Sequence, residues 1–179
     1  MRDLEERVIL VDPTDLEIGS EEKLRAHERG VLHRAFSVFL LNRNGEILLQ
    51  RRAEGKYHGA GLWSNSACGH PRPGEDTAAA ARRRLEEEMG IDAPLEHLFS
   101  FTYRAEMAGG LTEHEIDHVF RGRVDVDPRP DPDEVGEWRW SPPGQILREM
   151  RRDPGRYTPW FSEALAGLLE RESAAPAPS

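Results

Sequence analysis

From Glu75 to Gly90 the chain reads EDTAAAARRRLEEEMG, a run of strong helix formers closed by a glycine of the kind that ends helices. No other stretch commits its backbone so firmly, and the remaining segments have to be arranged around it. Upstream, HRAFSVFLLN and EILLQRR flank Asn44 and Gly45, and Asn-Gly between apolar runs is a strong hairpin signal. Before them, RVILVD reads as a short strand ending at Pro13, and Ser20 reads as the N-cap of a helix through EEKLRAHER to Gly30. Downstream, strands are predicted at LFSFTYRAE, TEHEIDHVFRGRV and VGEWRW, separated by Gly109-Gly110 and by DPRPDPDE. Two helices follow, one after Pro142 and one opened by Pro159, and SAAPAPS reads as a disordered tail. The pattern is mixed α and β without internal repeats, and 179 residues suit one domain with a real core.

Charge narrows the partners. The net charge is −9, and no basic stripe of the kind that binds a phosphate backbone is present, so nucleic acid is not an expected partner. No apolar run reaches membrane-spanning length, and MRDLEERVILVD lacks the zones of a secretory signal, which places the expected location in the cytoplasm. The single cysteine, Cys68, which reads as lying in the loop that leads into the Glu75–Gly90 helix, excludes an internal disulfide and is either a small buried hydrophobe or a working thiol.

Alternate residues of a strand share a face, so Glu113 and Glu115 in EHE point one way and His114 the other. Alone, that pair reads as a solvent-facing edge. Other ligand types change the reading: His27 ends the first predicted helix, Gly30 turns the chain, and His33 opens the next strand, so both imidazoles can converge across the turn. With His70 two residues after Cys68, three histidines and two aligned carboxylates match the donor set of a Zn, Mn or Mg site.

The helix carries a spaced pattern as well: Gly69, five residues, Glu75, seven residues, Arg83, Arg84, Leu85, one residue, Glu87, Glu88, one residue, Gly90, Ile91. It closely resembles the Nudix box, whose glutamates hold divalent metal against a diphosphate. The plainer alternative is a surface helix laced by Arg83–Glu87 and Arg84–Glu88 pairs, each worth about 0.2–0.5 kcal/mol. The box expects glutamate where Arg84 stands. Exchanging a carboxylate that helps bind hydrolytic metals for a cation suits holding a diphosphate better than cutting it.

HRAFSVFL, LWSNSACGHPRPGE, TYRAE, EHE and YTPWF together resemble the type 1 isopentenyl-diphosphate isomerases of the Nudix superfamily, from about Val8 to about Leu169. The resemblance implies an α+β Nudix fold, a mixed sheet sandwiched by helices with added N- and C-terminal elements, as one domain over 1–171 followed by a tail over 172–179. It implies Cys68 and Glu115 as acid/base groups with Tyr103 assisting, and His27, His33, His70, Glu113 and Glu115 as a metal site holding Mn2+, Zn2+ or Mg2+. Glu88 corresponds to the ligand of a second Mg2+ bound to the diphosphate, and Lys23, Arg52, Lys56 and Arg84 to diphosphate-binding cations. The expected partner is a small isoprenoid diphosphate, with no membrane and no further subunit: a monomer. Protonating an alkene makes a tertiary carbocation, which needs a dry site and electron density that is not nucleophilic; the indole of Trp160 is the candidate, with core packing as its bland alternative. A Nudix hydrolase of a diphosphate-containing substrate and a non-catalytic Nudix-like binding module are the competing readings.

Overall fold

The computed structural model describes residues 6–175. Its hub is β3 (His33–Leu41), a strand that is apolar almost throughout because both of its faces are covered. Phe36, Val38 and Leu40 pack with Ala80, Ala81, Leu85 and Met89 of α2 (Thr77–Met89), whereas Phe39 and Leu41 pack with Phe161, Ala164 and Leu165 of α4 (Phe161–Ala174). Alternation along one strand thus feeds two cores, and the sheet lies between helices. Ile146 of α3 (Pro143–Arg152) joins the second core.

Around the hub, β1 (Arg7–Val11) pairs antiparallel with β3, and β2 (Glu17–Glu22) lies outside β1. β4 (Ile47–Arg52) returns from β3 through the Asn42–Glu46 turn, whose Gly45 takes φ 73°, the left-handed conformation expected of that glycine. β5 (Trp63–Ser64) and β9 (Val135–Ser141) pair with β4, and β6 (Ala67–Gly69) pairs with β3. β7 (Glu96–Glu106) and β8 (Thr112–Arg123) form an antiparallel pair, and β8 runs parallel to β3. The sheet is therefore mixed, with nine strands among the described residues.

Three local expectations change. Ser20 caps no helix: it pairs with Ile9 inside β2 and takes hydrogen bonds from Arg7, and α1 (Lys23–Arg29) starts after Glu22. Cys68 lies in β6 rather than in a loop, because its backbone is opposite Ser37 of β3. The expected tail from 172 is helical as far as Ala174, and residues 176–179 lie outside the described residues, as do residues 1–5 of the N-terminal reading. The long helix follows its local signals, with the Asp76 carboxylate accepting from the Ala79 amide at 3.0 Å. Gly90 ends it at φ 64°, and a side chain there would lie 2.6 Å from the Arg129 carbonyl oxygen.

Candidate active site

Strand register assembles the polar centre. The parallel β3–β8 pair sets His33 opposite Glu115, and the antiparallel β7–β8 pair sets Tyr103 opposite the same glutamate. Because β8 is flanked by β3 and β7, Glu113 and Glu115 are interior, 2% and 5% exposed, and not on an edge. His27 arrives from the end of α1 and His70 from just beyond β6. His70 Nε2 and His33 Nε2 lie 2.8 and 3.2 Å from Glu115 Oε1, and His27 Nε2 lies 3.8 Å from it.

This cluster fits a divalent ion. One donor atom from each of His27, His33, His70 and Glu115 lies within 4.8 Å of the others, and His27, His58 and Glu113 form an adjoining group. His27 Nε2 is buried with no hydrogen-bond partner, and His58 Nε2 lies 3.0 Å from Glu113 Oε1 but off hydrogen-bond geometry. His33 Nδ1 lies 2.9 Å from the Val31 carbonyl oxygen, which takes the ring proton there and leaves the Nε2 lone pair facing the cluster. Tyr57 Oη, 2.8 Å from His27 Nδ1, orients a second ring in the same way. Three imidazoles with carboxylate oxygen are donors for Zn2+ or Mn2+ more than for Mg2+, which prefers an all-oxygen shell.

Burial favours the neutral form, which a metal needs, in three of these imidazoles: His27 is lowered, and His58 and His70 are pushed down to about 3. Burial alone would raise Glu115, but His70 and the other imidazoles hold it well below the usual carboxylate range. Burial and the Glu115 charge raise Glu113 instead. The Tyr103 hydroxyl lies 2.8 Å from Glu113 Oε2 and 2.6 Å from Glu115 Oε2, and burial beside these carboxylates raises it well above its ordinary value, so it keeps its proton.

A pocket opens beside this cluster. Cys68, His70, Glu113, Glu115 and Trp160 line it together with Lys23, Arg52, Lys56, Arg84 and Glu88. The Arg52 guanidinium lies 3.6 Å from Cys68 Sγ, but burial outweighs it and pushes the thiol up to about 12, which keeps Cys68 as S–H. Trp160 is 5% exposed, and its Nε1–H donates to Asn65 Oδ1 at 3.0 Å. Asn65 in turn donates to the Val38 and Ala67 carbonyl oxygens, so the indole is fixed to β6, which carries Cys68, and to β3 beside it. Arg84 donates to Glu88 at 2.6 Å, and Glu88 also accepts from Gln50 at 2.7 Å. The helix pairs Arg83–Glu87 and Arg84–Glu88 are both present, but the second faces the pocket. Lys23 is buried near Glu6 at 3.5 Å.

The structure thus gathers every expected site residue around one pocket and the cluster behind it. It adds others. His58 joins the imidazoles from the β4–β5 loop, where it follows Lys56 and Tyr57. Glu134 accepts from Lys56 at 2.6 Å and from Arg84 at 3.2 Å, bridging two cations of the expected clamp. Asp117 continues the Glu113, Glu115 face, accepts from Ser37 at 2.7 Å, and is pushed up to about 8 by burial. Asp117 was missed although the period-two alternation of β8 puts it on the Glu113, Glu115 face, and nothing local in DPRPDPDE distinguishes Glu134 from its acidic neighbours.

The NUDIX domain profile matches residues 31–161. The protein named isopentenyl-diphosphate Delta-isomerase in Serratia proteamaculans (strain 568) is 51% identical over 169 residues, 94% of each chain. The one so named in Halorhodospira halophila (strain DSM 244 / SL1) is 53% identical over 159 residues, 87% of this chain and 91% of the relative. Among solved structures, one from Deinococcus radiodurans aligns with a TM-score of 0.69 at 22% identity over 83% of this chain and 90% of that one. The MutT protein from Methanosarcina mazei Go1 aligns with a TM-score of 0.66 at 23% identity over 80% and 96%; both likenesses speak to the fold alone. With that profile over most of its length and relatives about half identical across nearly all of it, the chain belongs to the isopentenyl-diphosphate Delta-isomerases of the Nudix superfamily.

Proposed function

We propose that this protein interconverts isopentenyl diphosphate and dimethylallyl diphosphate by adding a proton at the terminal alkene carbon and removing one from C2. The relatives' shared name supports this reading. The observation that carries it is one pocket lined together by a protonated thiol, a buried carboxylate and four cationic side chains. An S–H and a carboxylate are what a two-proton exchange requires. Arg84 stands where the box of a Nudix hydrolase has a glutamate, which speaks against cleavage of the diphosphate.

In this reading Lys23, Arg52, Lys56 and Arg84 hold the diphosphate, which orients the hydrocarbon end toward Cys68 and Trp160. Cys68 and Glu115 are the proton-exchanging pair, one supplying the proton that makes the tertiary cation and the other accepting the one that leaves C2. Tyr103 assists by donating its hydroxyl hydrogen bond to Glu115 while keeping its proton. The face of Trp160 stabilises the cation without attacking it; such contacts reach about 2 kcal/mol or more when desolvated. Bound divalent ions, Mn2+ or Zn2+ among the histidines with Glu113 and Glu115, and Mg2+ at Glu88, supply positive charge that offsets the buried carboxylates and the diphosphate. We take the protein to act in the cytoplasm as a monomer; no helix among the described residues is long and apolar enough to cross a membrane.

The test is incubation with isopentenyl diphosphate and Mg2+, followed by 1H and 31P NMR. Appearance of the dimethylallyl isomer with both phosphorus signals retained is expected. Release of phosphate or pyrophosphate without isomer would replace this reading with hydrolysis.

A further inference from the structure

On the face of β8 opposite Glu113, Glu115 and Asp117, two histidines meet that the reaction does not use. The register shift between His97 and Phe99 in β7 brings His97 Nε2 to 3.2 Å from His118 Nδ1. The Ser100 hydroxyl stands 3.3 and 3.1 Å from the same two nitrogens. The other nitrogen of His118, Nε2, lies 2.7 Å from Asp15 Oδ2. Asp15 is held at its other oxygen by Arg34 at 2.8 Å.

These contacts fix the tautomer of His118. A carboxylate only accepts, so the proton is on Nε2 and the Nδ1 lone pair faces His97. Two imidazole nitrogens bound tetrahedrally at about 2.0–2.1 Å from one ion stand about 3.3 Å apart, close to the separation found here. A carboxylate behind the imidazole, raising its basicity and fixing its orientation, is the usual support of a metal-bound histidine.

We propose that His97 and His118, backed by Asp15, form a second metal site on the outer face of the sheet, for a borderline divalent ion of the Zn2+, Ni2+ or Cu2+ class. Ser100 is placed to contribute a third oxygen donor or to hold a water in that position. Imidazole nitrogen selects such ions over Mg2+. An ion here joins β7 to β8 and, through Asp15, to the β1–β2 turn. The site is independent of the isomerase reading, since none of its residues lines the pocket. The rival explanation of the same separation is a simple N–H···N hydrogen bond between the rings.

Untagged, chelator-stripped protein in saturating Mg2+ is titrated calorimetrically with ZnCl2, alongside His97→Gln, His118→Gln and Asp15→Asn. The wild type is expected to take up one more equivalent of Zn2+ than either histidine variant. Asp15→Asn should keep that equivalent but bind it about 10- to 100-fold more weakly. The rise in melting temperature on adding the last equivalent should be confined to the wild type and, at higher Zn2+, Asp15→Asn. Equal uptake by the wild type and both histidine variants would overturn the site and leave the hydrogen bond as the explanation. Unchanged affinity in Asp15→Asn would contradict the carboxylate-backed imidazole.

Discussion

Residues that bear unusual chemistry were the most legible ones in the sequence. Cys68 stood out as the only thiol, the histidines and Glu113/Glu115 as ligand types at strand and turn spacings, and Arg84 as a break in a spaced pattern. What was not legible is what only tertiary pairing creates: His58 among the other imidazoles, Gln50 against Glu88, and Glu134 between two cations. Glu134 yields a prediction at this scale. Lys56 and Arg84 repel each other, and the carboxylate between them holds both near the pocket. Glu134→Gln should raise KM for the diphosphate by about tenfold, the equivalent of about 1.4 kcal/mol, while kcat changes little, and Glu134→Asp should recover part of the loss. Steady-state kinetics of the three proteins check this, and an unchanged KM would make Glu134 plain surface. Trp160 yields another. Trp160→Phe keeps a π face and should retain partial turnover, whereas Trp160→Leu keeps bulk without the quadrupole and should lose more. Equal turnover in two folded variants would leave the indole as packing only.

Elements with local start and stop signals or a long strand pattern were read correctly, and the short strands defined only by a partner, β2, β5 and β6, were not. The long helix carried its own cap and terminal glycine, and the β3–β4 hairpin its own Asn-Gly. Ser20 was misread because its competing partner, Ile9, is a strand neighbour that cap statistics do not see. β6 is three residues long and has no period to detect. Packing between elements makes two predictions. In α4, a methyl on Gly167 would stand 2.2 Å from the Phe99 ring of β7. Gly167→Ala gains up to about 1 kcal/mol of helix propensity but forces that contact apart at about 1–3 kcal/mol, so the net change in chemical denaturation should be destabilising or nil, never the usual gain. In α3, Glu149 accepts from Arg139, Gln145 and Tyr157, and these bonds, Arg139 first, hold it at about 2. Its folded value lies below the unfolded one, so its contribution is full above about 4.5 and is lost as pH falls toward about 2. The melting-temperature gap between wild type and Glu149→Gln should therefore close between pH 4.5 and 2; a gap independent of pH across that window would show that the carboxylate is not ionised there.

At the scale of the whole molecule, the sheet places the histidine–glutamate cluster and the pocket lined by Cys68 side by side by pairing β8 parallel to β3 and β6 against β3 as well. That parallel pairing joins residues more than eighty positions apart, His33 with Glu115, and no local pattern announces it. The family resemblance reached it, and periodicity did not. Neighbouring buried carboxylates and imidazoles without hydrogen-bond partners make the fold sensitive to metal. Chelation should abolish turnover and lower the melting temperature, and His70→Asn should lower metal content measured by atomic emission; full occupancy and activity in that variant would remove the cluster as drawn. In the proposed mechanism Cys68 exchanges protons with substrate. Truncating it to alanine removes little volume, so stability should fall only modestly, whereas a general acid–base group contributes on the order of a hundred- to ten-thousandfold to rate. This role is tested by turnover of isopentenyl diphosphate by Cys68→Ala, with folding stability and metal content determined on the same sample: a folded, metal-loaded variant slowed by at least about a hundredfold is expected, and one as fast as the parent would remove Cys68 from the proton exchange.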